Sequence, residues 1–377
     1  MSIIIGGDLV PTQSNQKLFS EGNISNLFGE EIISILNEAD YRIFNLEVPL
    51  ADKETPIEKC GPNLIAPTST VKGLKALNPT VLTLANNHIL DQGEQGLKST
   101  EKTLIENDIN FIGAGENLSK AHEAYIIEQD GMKIGIYACA ENEFTIATDT
   151  TAGANPFDPF ESLDHIQNLK RSCDYVIVLY HGGKEHYRYP SPYLQKVCRK
   201  IVEKGADLVV CQHSHCIGSF EEHAGSTIIY GQGNFLFDYA DNEFWQTSLL
   251  IKINKGFQLE YIPIVKCDNG VRMASKEISL EILKEFHQRS KDILNTEFVE
   301  ETYQKFAQKN RMTYLRSFSG LGKWTLRIDR ILLNSFLINR LYTKKRLLAL
   351  QNFIECEAHR ELVLAGLKLN EQKLNGK

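Results

Sequence analysis

Leu84-Ala85-Asn86-Asn87-His88-Ile89-Leu90-Asp91 is the stretch on which the fold of this chain turns. Just before it, residues 80–84 are β-branched and apolar, the composition of a buried strand. Just after it, residues 92–107 carry a helical pattern. Two amides, an imidazole and a carboxylate therefore fall where a strand hands over to a helix. In open α/β sheets that edge is where ligands bind. Amides are poor strand residues, so their clustering needs a cause. One cause is a capped turn, because Asn and Asp bond their own backbone and tolerate left-handed conformations. The other is a metal-dependent hydrolase site, with an Asn oxygen as ligand and the adjacent His as proton donor. The choice depends on whether other strand ends bring further ligands.

Outward from that stretch the alternation continues. Residues 2–5 predict a strand entering Gly6-Gly7-Asp8, 30–37 a helix, and 41–46 a strand ending at Asn45-Leu46-Glu47. Residues 52–67 are rich in Pro, Gly and charge and predict a loop, with a helix over 68–77. A short strand over 110–112 leads to Gly113-Ala114-Gly115. Residues 124–128 and 133–140 flank Asp130-Gly131, a hairpin signal. Residues 141–158 predict a loop over the site, and 160–170 a helix. The apolar strand 174–180 runs into His181-Gly182-Gly183. Pro190 and Pro192 open a helix that Gly205 stops. Residues 207–211 form a strand entering Gln212-His213-Ser214-His215, and 227–230 one entering Gly231-Gln232-Gly233-Asn234. A second hairpin spans 246–253 and 257–264. Strands and helices alternating, then hairpins, predict an α/β fold of two mixed sheets with helices outside. From about residue 275 the pattern is helical, over 279–295, 296–309, 322–341 and 344–369.

The chain has 377 residues, a net charge of −7 and 42% hydrophobic residues, ample for a large core. The N-terminus reads as a first strand rather than a signal peptide. No run approaches the ~18 apolar residues of a spanning helix. Eight cysteines are scattered without a C-x-x-C pair, which argues against a disulfide or zinc-finger framework and for reduced thiols in the cytoplasm. Residues 271–377 hold 20 Lys and Arg against 12 Asp and Glu, leaving 21 against 36 for residues 1–270. That shift predicts two domains, 1–270 bearing the site and 271–377 a basic helical region. Between Lys309 and Leu350 there are ten basic residues and one acid, Asp329, with Trp324, Ile328, Ile331, Leu332 and Phe336 at helical spacing. The helices either pack on the main domain with a solvated basic face or offer a basic amphipathic surface to anionic lipid or polymer. Nucleic acid is not an expected partner, because the site-bearing part is acidic and carries no base-reading motif.

The other strand ends do supply ligands. Asp8, Asn45, Glu47, Asn87, His88, His181, His213 and His215 all fall there, with Asn234 and Asp238 behind them. His213 and His215 flank one residue after an apolar strand, so both rings can point the same way. Carboxylate, amide and imidazole without thiolate suit Mn, Zn or Fe. Cys211 and Cys216 read as small packing residues.

Gly7-Asp8, Asn45-Leu46-Glu47, Ala85-Asn86-Asn87-His88-Ile89-Leu90-Asp91-Gln92-Gly93, His181-Gly182-Gly183-Lys184-Glu185, His213-Ser214-His215 and Gly233-Asn234-Phe235-Leu236-Phe237-Asp238 occur in that order. Over about residues 1–265 this resembles the CapA family of poly-γ-glutamate capsule synthesis proteins, itself similar to the calcineurin-like metallophosphatases. The resemblance implies a four-layer α/β/β/α sandwich followed by a C-terminal helical region. It implies one or two divalent transition-metal ions: Asp8 and His215 on metal one, Glu47 bridging, and Asn87, His181 and His213 on metal two. His88 would protonate the leaving group, with Asp91 beside it. By their chemistry Asn86, Asp91 and Glu185 can orient the histidines, and Asn45 and Asn234 can support the site, while Lys184, His186, Tyr187 and Arg188 either meet an anionic substrate or form a solvated loop. The family's usual first-motif histidine is here Val10, its usual bridging Asp is Glu47, and its His-Pro-His is His213-Ser214-His215. A weakened first metal position makes a mononuclear centre an expected variant.

Two functions follow. The first is a metal-dependent hydrolase of a phosphoester or of an amide-linked anionic polymer, active in capsule or surface-polymer biosynthesis. The second is a non-catalytic accessory protein that binds polymer or metal and docks on a membrane synthase. A phosphorylated small molecule is a further expected substrate class. The resemblance implies anchoring outside the membrane; no export segment is found in this sequence, which, if the sequence is complete, predicts a cytoplasmic protein or one whose basic helices hold it at the inner membrane face.

Overall fold

The computed structural model describes residues 1–239 and 241–374. They form two compact units, Met1–Glu300 and Glu301–Lys377. In the first unit the strands run as β1 (Ile3–Val10), β2 (Tyr41–Leu46), β3 (Val81–Thr83), β4 (Phe111–Ile112), β5 (Ala114–Gly115), β6 (Tyr125–Gln129), β7 (Met132–Ala140) and β8 (Gly153–Ala154). Then follow β9 (Tyr175–His181), β10 (Leu208–Gln212), β11 (Phe220–His223), β12 (Ser226–Ile229), β13 (Asn234–Phe237), β14 (Thr247–Asn254), β15 (Gln258–Cys267) and β16 (Gly270–Met273).

Eight strands make one sheet, ordered β16-β15-β14-β1-β2-β3-β4 with β13 also on β1, and six make the other, ordered β11-β12-β10-β9-β7-β6. In the first, β1 to β4 are parallel and β14 to β16 antiparallel. In the second, β7, β9, β10 and β12 are parallel, with antiparallel β6 and β11 at the edges. Both sheets are mixed, as the alternation of elements requires.

Strand periodicity builds the layers, because successive side chains leave opposite faces. Ile3 and Ile5 of β1 meet Ile177 and Leu179 of β9 in the core between the sheets. Ile4 points the other way, into a core with Phe28, Ile32, Leu97 and Leu104 from the helices Ile24–Glu38 and Gly93–Glu106. Val176 and Val178 of β9 face outward onto Ile166, Val197 and Ile201 of the helices Glu161–Ser172 and Pro192–Glu203. The result is a four-layer α/β/β/α sandwich. Ser191 caps the last of these helices through the Leu194 amide, with Pro192 in its first turn.

The structure departs from the sequence reading at short elements and at the boundary. Residues 141–158 are tied down by the β5–β8 ladder and lie against the site turn, where Thr145 Oγ1 donates to the Asn86 carbonyl at 2.9 Å and the Glu141 N–H to the His181 carbonyl at 3.0 Å. The helix Lys276–Asp292 seats Ile282 and Phe286 in the inter-sheet core, so the first compact unit runs past the charge shift at 270 to Glu300. In the second unit the helix expected over 322–341 is two, Lys323–Ile331 and Phe336–Leu341. Asn334 and Ser335 between them take left-handed φ of 45° and 63°, which a helix cannot carry. The next pattern divides likewise at Cys356, between Lys344–Glu355 and Glu357–Leu374. Among the described residues no helix is long and apolar enough to cross a membrane.

Candidate metal centre

The C-terminal ends of β1, β2, β3, β9 and β10 converge on one buried polar cluster. Asp8 lies within β1, opposite Asn45 of β2 and Asn234 of β13. The close approach of β13 depends on Gly7: a Cβ there would stand 2.0 Å from the Gly233 carbonyl oxygen. Glu47 follows β2, the Asn86–His88 turn follows β3, His181 ends β9, and His213 and His215 follow β10. Two donor groups result: Glu47, His181 and His213 in one, Asp8, Glu47 and His215 in the other, with ligand atoms within 4.8 Å of one another in each. Glu47 belongs to both.

Asn87 completes the first group, with its Oδ1 3.0 Å from His181 Nε2. His181 Nε2 also lies 3.3 Å from Glu47 Oε1. The Asn45 amide donates to Asp8 Oδ1 at 2.8 Å and sits 3.2 Å from His181 Nδ1. Asn86 donates to Asn45 Oδ1 at 3.1 Å and to the Leu46 carbonyl at 2.9 Å. Its own Oδ1 accepts from the His88 main-chain N–H at 3.1 Å. Asn86 therefore braces the turn and Asn45 instead of orienting an imidazole. Asn234 Oδ1 lies 2.9 Å from His215 Nδ1. His213 and His215 hold left-handed φ of 80° and 54°. For non-glycine residues that conformation costs about 1–3 kcal/mol and is concentrated at functional sites.

Electrostatics test whether these donors suit a cation. Glu47 is fully buried, and neither of its oxygens has a hydrogen-bond partner; His213 Nδ1 is likewise unpartnered. A buried carboxylate with no hydrogen bond, and only the His181 ring 3.3 Å away, is costly to bury, and a bound cation offsets that cost. Burial works against the Asp8 carboxylate, but His215, His181 and Asn45 beside it hold it below its ordinary value. Burial likewise opposes charge on His215, yet Asp8 and Glu47 push it up to about 9. Burial, with His181 and His215 alongside, drives His213 well below the usual imidazole range. The carboxylates thus draw positive charge from neighbouring imidazoles, the charge a divalent ion would bring. The residues fit such an ion. Val10 is buried in the outer core and offers no ligand atom.

His88 stands beside this cluster, and Asp91 directs it: His88 Nδ1 is 2.6 Å from Asp91 Oδ2. The sequence reading missed the third member. Lys59, from the 52–67 loop, pairs with Asp91 Oδ1 and lies 3.3 Å from His88 Nδ1, with its side chain only 3% exposed. The loop is fastened by the Ile57 N–H to the Asp91 carbonyl at 3.1 Å and the Leu64 N–H to Asp91 Oδ2 at 2.6 Å. Replacing Lys59 with Met leaves Asp91 short of a buried counter-charge. Unfolding in urea should show a loss of about 3–5 kcal/mol, the usual cost of breaking a buried pair. A loss below about 1 kcal/mol, as for an exposed pair, would refute that buried role.

Other expected contacts are redistributed. Glu185 makes no hydrogen bond to a site histidine among the described residues. His186 accepts the Trp245 indole N–H at 2.8 Å, and Arg188 donates to the Ile217 carbonyl at 3.1 Å while lying over the Phe244 ring. Tyr187 is buried, and Lys184 is exposed. Of these four, Lys184 is the one open to an incoming anion. Trp245 packs on the His215 ring with centroids 4.5 Å apart, a wall that spacing alone did not reveal. Cys211 and Cys216 are buried packing residues.

Residues 2–239 match the sequence model of the family described as bacterial capsule synthesis protein PGA_cap. The capsule biosynthesis protein CapA of Bacillus anthracis is 31% identical over 248 residues, 63% of this chain and 60% of that protein. The PGA biosynthesis protein CapA of Bacillus subtilis is 28% identical over 272 residues, 68% of this chain and 70% of that one. The chain thus spans about three-fifths of the B. anthracis relative. Among solved structures, a phosphatase from Mycoplasma pneumoniae aligns with TM-score 0.43 and 16% identity over 71% of this chain and 94% of its own. The NAD nucleotidase of Haemophilus influenzae aligns with TM-score 0.42 and 13% identity over 82% and 67%.

Proposed function

Because the chain belongs to the CapA family of bacterial capsule synthesis proteins, we propose that it is a metal-dependent hydrolase of surface-polymer production, cleaving a phosphoester or an amide-linked anionic polymer. The observation that carries this reading is Glu47, a buried carboxylate without a hydrogen bond that is shared by two donor groups, with the Asp91-directed His88 standing outside both. One or two divalent ions, Mn, Zn or Fe, would be held by Asn87, His181 and His213 on one side, Asp8 and His215 on the other, and Glu47 between. Such an ion supplies Lewis acidity and a water nucleophile at neutral pH.

The protein's own residues do the rest. Asn45 and Asn86 hold Asp8 and the turn in register. Asp91 fixes the His88 ring so that a proton is available where the leaving group departs. Lys59 keeps Asp91 paired. Lys184, exposed three residues after His181, meets the negative charge of the substrate. A purely structural ion site has no use for a directed imidazole that is not a ligand.

A second reading, a non-catalytic polymer- or metal-binding accessory protein, is favoured by Val10, which leaves the Asp8 side one donor short. The two separate on metal analysis of wild type and His213→Ala, run with a phosphoester and a γ-glutamyl amide screen. The hydrolase reading expects bound transition metal in wild type, less in the variant, and turnover of one substrate class. Equal metal content would refute the ligand assignment, and full metal content without turnover of either class would favour the accessory role.

A further inference from the structure

We infer that the second unit carries a docking surface for an anionic lipid bilayer, built on the helix Lys323–Ile331 and the segment that follows it. This helix sits inside out. Its acid, Asp329, is fully buried, where Oδ1 accepts the Leu337 N–H at 2.7 Å and its carbonyl accepts the Ser335 N–H at 2.8 Å. Its apolar face is turned outward: Trp324 is 73% exposed, Ile331 60% and Leu332 74%, with Ile328 and Phe336 about half exposed. Residues 324, 328, 331 and 332 share one side of a 3.6-residue helix. Lys323, Arg327 and Arg330 are exposed on the flank of that stripe.

The charge pattern selects the occupant. Between residues 309 and 350 ten lysines and arginines face a single acid, and that acid is the buried Asp329. A second copy of this surface would set one cationic strip against another. A hydrophilic polyanion would satisfy the cations but leave Trp324, Ile331 and Leu332 wet. A bilayer with anionic headgroups answers both demands, because apolar side chains sink to the acyl boundary while Lys and Arg reach the headgroups. Each basic residue near such a surface contributes about 1 kcal/mol. The inference is independent of the hydrolase reading, since none of these residues belongs to the metal centre.

The test is co-sedimentation of the full chain with vesicles of phosphatidylcholine alone or mixed with phosphatidylglycerol, at low and high salt. Binding is expected to the mixed vesicles only, weakened by salt, with a blue shift in tryptophan emission. Trp324 should dominate that shift, because the other tryptophan, Trp245, is already buried. Lys323→Gln with Arg327→Gln and Arg330→Gln should lower partitioning roughly a hundredfold. Trp324→Glu with Ile331→Glu should abolish it while hydrodynamic size and helicity stay unchanged, since both side chains are exposed. Absence of wild-type binding to the mixed vesicles overturns the proposal. So does unchanged binding by either variant, or a wild-type dimer that Trp324→Glu dissociates in the absence of vesicle binding.

Discussion

Replacing Glu47 with Gln is expected to strip transition metal from the protein and abolish turnover, while leaving the metal-free chain at least as stable as wild type. Both parts come from one observation. Glu47 is fully buried, without a hydrogen bond, and common to both donor groups. Losing it should lower metal affinity by more than the roughly 10–100-fold that outer hydrogen-bonding partners are worth, because both positions lose a ligand. In chelator the argument reverses. Wild type must then bury the Glu47 carboxyl without a hydrogen bond, the His181 ring 3.3 Å away being its nearest polar neighbour, whereas a neutral amide of the same shape costs less to bury. Metal content after dialysis and thermal unfolding with and without EDTA read the two parts separately. Retained metal would end Glu47's bridging role. A Tm in EDTA well below wild type would show that the side chain supports the fold directly.

The second large effect belongs to His88. Changing it to Asn should lower kcat by about 10²–10⁴-fold, the usual worth of a positioned general acid, with metal content unchanged. Asp91 keeps Lys59 and the Leu64 amide in that variant, so the turn stays folded. Leaving-group dependence separates proton donation from a structural role. A phosphoester that expels an alkoxide needs the proton and should suffer the full loss. One that expels a nitrophenolate does not, and should lose little. Equal losses on both, or loss of metal, would exclude His88 as the proton donor.

Most of the layered fold was legible in the sequence because strand periodicity is a local property. The runs at 2–5, 174–180 and 207–211 each led into a polar residue that the structure places in the centre. The layers followed from alternation within each run, as with Val176 and Ile177 facing different cores. Short pairings were not legible. The two-residue strands β5 and β8 exist only through each other, and neither has a pattern of its own. The break between the helices at 331 and 336 was hidden too, since Trp324, Ile328 and Leu332 keep helical spacing up to the point where Asn334 turns left-handed.

Within the site, strand-end position exposed the histidines and acids, but nothing flagged Lys59. It lies in a Pro- and Gly-rich loop, and the partner that explains it is remote in sequence. A lysine there reads as solvated until the loop is seen to fold back on Asp91. Trp245 escaped for the same reason: its role against His215 is purely tertiary.

The Asp91 carboxylate draws its partners from two parts of the chain. The turn gives it an imidazole; residues 59 and 64 give it an ammonium and an amide. Peeling that flap back removes two of the three at once and slackens the hold on the ring. Amide exchange at Ile57 and Leu64 is therefore expected to report how firmly the loop, and through Asp91 the His88 ring, is held, although neither amide meets that ring.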